Sequence, residues 1–106
     1  MSDESPKIYV ISDSGHDLSP AIKYGELVIM SKGYVDKYNT SQMVRTFEPY
    51  MEESKPNDFI LISGPTVMSS VACSMFSAKH GKLNLLLWRA EQDGNDRYLH
   101  RRLVYA

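Results

Sequence analysis

Short apolar runs alternate along this chain with longer stretches of helical period. Lys7-Ile8-Tyr9-Val10-Ile11-Ser12 is apolar without strict alternation, as expected of a strand covered on both faces. A polar turn, Asp13 to Asp17, leads to Ser19-Pro20, which reads as a helix cap followed by proline in the first turn. A short helix, Pro20 to Tyr24, should stop at Gly25, and Glu26 to Met30 forms the second strand. An irregular connector containing Tyr34, Val35 and Tyr38 follows. Asn39 or Thr40 caps a helix whose apolar stripe is Met43, Val44, Phe47 and Met51. Pro49 lies inside that stripe and predicts a kink or restart near Glu48.

Asp58 to Ser63 is the third strand. Gly64-Pro65-Thr66 then turns into the clearest helix in the chain, with Val67, Met68, Val71, Ala72, Met75 and Phe76 in phase. Lys79 and His80 suit its negative end and Gly81 its stop. Leu83 to Trp88 is the fourth strand, Glu91 to Asp96 a hairpin loop, and Arg97 to Tyr105 a mixed strand of edge type. Strands alternating with helices predict an α/β fold. The expected form is a small, open, Rossmann-like sheet, mostly parallel, closed by a C-terminal antiparallel edge hairpin. Residues 1–6 read as a flexible polar N-terminus and residues 7–106 as a single domain.

Composition narrows the function classes. The chain has 106 residues, of which 42% are hydrophobic and 24% charged, so it can bury one core. Its longest apolar run is far shorter than the roughly 20 residues of a membrane span. No secretory signal is expected at the acidic start, and the single cysteine, Cys73, suits a reducing interior. Net charge is −1, which argues against nucleic acid as a partner. Residues 1–53 carry five Lys/Arg against nine Asp/Glu, and residues 54–106 seven against four. The halves thus differ in sign, −4 against +3.

In open parallel sheets, ligands sit beyond the carboxyl ends of the strands, where loops diverge and helix N–H groups point into the gap. Two loops meet that description. The first gathers Ser12, Asp13, Ser14, Gly15, His16 and Asp17 after the first strand. Gly15 allows close backbone approach, His16 titrates near neutrality, and Asp13 or Asp17 can accept ribose hydroxyls or hold a divalent metal. Ordinary turn chemistry explains the same residues. The second loop is Ser63-Gly64-Pro65-Thr66, with Ser69 and Ser70 one turn on. Thr66 as a plain helix cap is the simpler account there. Neither a phosphate-binding P-loop nor a dinucleotide fingerprint is present, since Pro65 removes a donor and no Gly-Lys-Ser/Thr follows. No His/Cys spacing suggests a zinc site, and no cofactor is expected beyond a metal at Asp13 and Asp17.

Three further features read as structural. His80 and His100 are single histidines in solvated settings, and Cys73 is a small core residue. Arg97, His100, Arg101 and Arg102, with Arg89 nearby, form a basic cluster with Tyr98 and Tyr105. Its charges guard an exposed edge better than they make a single-strand platform.

The segments SGHDLSPAIKYGELVIMSKGYV, PNDFILISGPTVMSSVACSMFSAKHG and KLNLLLW resemble a family of small proteins carried by tailed bacteriophages, over roughly residues 7–88. The resemblance implies expression inside a bacterial host and brings no activity with it. Small phage proteins of this size bind nucleotides, inhibit host proteins or join the virion.

The expected function is therefore a phage-encoded binding module for a nucleotide or phosphorylated signal, acting in the host cytoplasm against host defence. Its site would be Asp13, Ser14, Gly15, His16, Asp17, Gly64, Thr66 and Ser69. No catalytic signature is present; a reaction, if there were one, would use His16 as acid or base and Asp17 to position it. The alternative is a protein-interaction or assembly module, a homo-oligomer, virion component or host-protein inhibitor, whose contacts come from Tyr34, Val35, Tyr38 and the last strand.

Overall fold

The computed structural model describes residues 5–13, 15, 17–90 and 97–104. Its five strands are β1 (Lys7–Val10), β2 (Glu26–Ile29), β3 (Phe59–Leu61), β4 (Lys82–Arg89) and β5 (Arg97–Val104). They form one sheet in the order β2-β1-β3-β4-β5. The first four are mutually parallel, and β5 runs antiparallel to β4. Two helices, α1 (Thr40–Glu53) and α2 (Thr66–His80), and a 3₁₀ helix at Ser19–Tyr24 complete the α/β fold. The predicted hairpin loop at 91–96 lies outside the described residues.

The chain moves one way from β1 to β2, then reverses and crosses β1 to reach β3. Right-handed crossovers in opposite directions place their helices on opposite faces. Two cores result. On one face Tyr9, Ile11, Ile60 and Leu83 pack against Met43, Phe47 and Met51 of α1 and Met68, Ala72 and Phe76 of α2. On the other, Ile8, Val10, Leu61, Leu86 and Tyr98 pack with Ala21 of the 3₁₀ helix. Each α-helix thus buries an i, i+4, i+8 row, and β1 alternates its side chains between the two cores.

Local details differ from the sequence pattern in four places. The first helix is 3₁₀ rather than α, and Ser19 does not cap it; Asp17 Oδ1 instead accepts the Ser19 N–H at 2.9 Å. No restart occurs at Pro49. Helix α1 runs through it because Phe47 and Met51, on either side, are held in one core. Val44, part of the predicted stripe, is 39% exposed. His80 is half-buried rather than solvated: its Nε2 lies 2.8 Å from Ser54 Oγ and its ring 4.5 Å from that of Phe76. Elsewhere Asn39 caps α1 by accepting the Gln42 N–H at 3.1 Å. Lys79 Nζ closes the far end of α1, donating to the carbonyls of Met51, Glu52 and Ser54.

The Ser54 hydroxyl gives its proton to the Met51 carbonyl at 2.6 Å, so His80 Nε2 must be the donor to Ser54. Burial, reinforced by the Lys79 charge, holds the His80 imidazole below its ordinary 6.5. The unfolded chain then takes up a proton near pH 6.5 that the folded chain refuses. The stability contribution of His80 is complete above pH 6.5 and declines as pH falls below it. The urea midpoint should therefore drop between pH 7.5 and pH 5 by more in the wild type than in His80→Gln. Parallel curves for the two proteins would refute the assignment.

Candidate functional site

The two loops singled out by sequence do meet at the carboxyl edge of the sheet. Because β1 and β3 are adjacent, their loops leave side by side at the point where the strand order reverses. The Ser12 N–H donates to Ser63 Oγ (3.2 Å), and the Ser63 hydroxyl donates to the Ser12 carbonyl (2.7 Å). Gly64 completes the junction. Its φ is +80°, and a Cβ there would lie 2.7 Å from that of Ser12. Such an approach excludes every side chain. The serines are thereby committed to joining the loops rather than to holding a ligand.

The candidate residues divide among three places. Asp13, Gly15, Gly64 and Thr66 are exposed around the junction. Asp17 lies toward the 3₁₀ face, where its charge helps raise the Tyr98 hydroxyl, itself raised mainly by burial. Ser69 sits on α2 across the sheet, its Oγ buried and without a hydrogen-bond partner among the described residues. Ser14 and His16 fall outside the described residues, and with them the suggested acid–base role. Thr66 is the first residue of α2, preceded by Pro65, and makes no side-chain cap.

The two carboxylates are engaged locally. Asp13 Oδ1 accepts the Gly15 N–H (3.3 Å), and the hydrogen bond from Ser19 lowers the Asp17 carboxyl below the ordinary carboxylate value. No group of three or more His, Cys, Asp or Glu converges among the described residues. The Cys73 thiol is pushed up to about 11 by burial, which keeps it protonated and a poor nucleophile.

Sequence reasoning missed the cavity beside this junction. It measures about 430 Å³ and opens between the end of β2, the connector and the first turns of α1. Met30, Met43 and Met68, all at most 4% exposed, form its floor. Lys32, Tyr34, Asp36, Asn39 and Gln42 stand around it. Ser31 joins it to the first loop, because its carbonyl accepts the Asp13 N–H at 3.1 Å. The cavity exists because the connector from β2 to β3 must cross over β1, leaving a gap beyond the β2 terminus. A signal was present in the chain: nine residues, 31–39, between a strand and a helix that opens Asn39-Thr40-Ser41-Gln42. A wider groove of about 680 Å³ lies at the opposite edge against Pro6, Ile22, Tyr24 and Glu26. It lacks an apolar floor, since Ile22 is 57% exposed.

The model of one protein family, phage Pam3 gp32-like protein, matches residues 6–100. No curated protein and no solved structure matches the chain. Among the described residues no helix is long and apolar enough to cross a membrane.

Proposed function

The chain belongs to the phage Pam3 gp32-like protein family, and for this member we propose a small-ligand-binding function, with a nucleotide or similar phosphorylated signal held in the cavity over Met30, Met43 and Met68. The observation that carries it is the cavity itself. Its volume falls in the range of small-molecule sites, and it lies at the edge and switch point where such folds bind ligands. Methionine sulfurs are soft, polarisable partners for a planar ring. Tyr34, 93% exposed on the rim, offers a second ring surface. Lys32 supplies the positive charge for a phosphate, and the amides of Asn39 and Gln42 can read polar edges of a base. Asp36 and Asp13 oppose a bare phosphate. A divalent cation carried with the ligand relieves that repulsion, and this keeps Asp13 relevant to affinity, whereas Asp17, toward the 3₁₀ face, stands apart from this cavity. In an infected cell such a module would sequester a host signalling nucleotide.

Thermal denaturation with a panel of mono-, di- and cyclic nucleotides, with and without Mg²⁺, tests this function. At a hundredfold excess of ligand over Kd the wild type should gain about 2.7 kcal/mol. A Lys32→Ala/Tyr34→Ala variant should lose most of that gain while melting normally without ligand. No shift with any nucleotide, or equal shifts in both proteins, would reject it. A second function, self-association through the connector, is supported by Tyr34 and by Tyr38, which is 84% exposed. Light scattering separates the two: a monomer throughout the titration excludes self-association, and loss of an oligomer in the double variant favours it.

A further inference from the structure

Independently of the cavity, we propose that the outer edge of β5 accepts an acidic, extended segment of a partner protein as a sixth strand. Strand β5 ends the sheet, and all eight of its residues pair one-to-one with β4, without bulge, proline or glycine. The direction of its free groups follows from the ladder. The Leu86 carbonyl accepts the Ile62 N–H, so Leu86 faces β3 and its partner His100 must face outward. By alternation, the backbone groups of Tyr98, His100, Arg102 and Val104 form the outer edge.

Two carbonyls of that edge are already covered by side chains. The Tyr24 hydroxyl donates to Tyr98 O (3.3 Å), and Arg101 Nη1 donates to His100 O (2.9 Å). Among the described residues the stretch from His100 to Val104 is closed by the Arg101 guanidinium, which a carboxylate can draw away. Leu103 and Val104 are 46% and 63% exposed beside it. Long, regular edges invite strand addition, and the arginines that guard this one against most strands leave it open to a strand of opposite charge.

Charge selects the occupant. In a two-fold antiparallel pairing of two copies only residues of the same alternation stand opposite. A pair centred on Arg101 sets Arg101 against its own copy and His100 against Arg102, one centred on Arg102 sets that arginine against its own copy, and a second copy is repelled. A strand with adjacent acidic residues opposite Arg102 and Arg101, preceded by two apolar residues opposite Val104 and Leu103, is attracted on both faces. Nucleic acid fits poorly. Tyr98 is 2% exposed with its ring 5.1 Å from that of Trp88, and the His100 ring is packed 5.0 Å from Phe59. Among the described residues no ring on this edge is left for base stacking.

The test is fluorescence anisotropy with the labelled peptide Thr-Val-Ile-Glu-Glu-Thr-Val-Thr and the full chain. Lysine in place of both glutamates should weaken binding at least about tenfold, as should Arg101→Ala/Arg102→Ala in the protein. Because an added strand pairs through one edge only, methylating alternate backbone nitrogens of the peptide should abolish binding in one phase and spare it in the other. Absence of millimolar binding, equal affinity for the lysine peptide, or tolerance of both methylation phases overturns the proposal. Displacement by single-stranded oligonucleotide better than by excess unlabelled peptide overturns it in favour of nucleic acid. A dimer of the free protein lost on Arg101→Ala/Arg102→Ala overturns it in favour of a second copy.

Discussion

Gly25→Ala should lower stability by roughly 2–6 kcal/mol, combining backbone strain of about 1–3 kcal/mol with overpacking of similar size. Gly25 has φ of +158°, and a Cβ at this position would run into the Pro6 carbonyl oxygen and lie 2.9 Å from its carbon. That oxygen cannot retreat, because it accepts the Glu26 N–H at 2.9 Å and so begins the β1–β2 ladder at Lys7↔Glu26. The new methyl group therefore pushes backbone against backbone, with no flexible side chain to yield. Domains of this class are stable by only about 5–15 kcal/mol, so the variant sits near its unfolding limit. Urea denaturation followed by far-ultraviolet circular dichroism measures the loss. A midpoint within error of wild type would show that the turn relaxes freely.

Phe47→Ala should cost about 3–5 kcal/mol through lost burial and the cavity left behind. Phe47 is fully buried between α1 and the sheet, among Tyr9, Ile11 and Met43. The urea midpoint should fall with an unchanged slope. Val44→Ala, one turn away but 39% exposed, should change stability by no more than about 0.5 kcal/mol. Equal losses at the two positions would mean that α1 does not dock on the face described. Because α1 also carries Asn39, Gln42 and Met43 at the cavity, Phe47→Ala should loosen that wall as well.

Much of the architecture was legible from the chain. Ile8-Tyr9-Val10 and Phe59-Ile60-Leu61 read as strands covered on both sides, and both are. The Met68, Ala72, Phe76 row predicts α2, and of the two caps the chain offers for α1, Asn39 and Thr40, the structure uses Asn39. The mixed character of β5 marks it as the antiparallel edge. The site was less legible. The loops after β1 and β3 meet at one edge, as the chain predicts, yet their contact is a mutual seal between Ser12 and Ser63. The hollow next to it is lined by a connector whose residues show no periodicity. Its floor is made of methionines that look like any other core positions.

Periodicity and turn chemistry act within a few residues, so the chain alone determines which segments are strands and helices and which faces they bury. It also determines the glycine-dependent turns and the charge along β5. Strand order, the reversal at β1, the gap left where the connector passes over β1, and the outward direction of the His100 and Arg102 backbone arise from contacts between residues far apart in sequence. No local pattern encodes those contacts. They are decided when the helices settle on opposite faces of the sheet and the hydrogen-bond ladder sets which groups remain open.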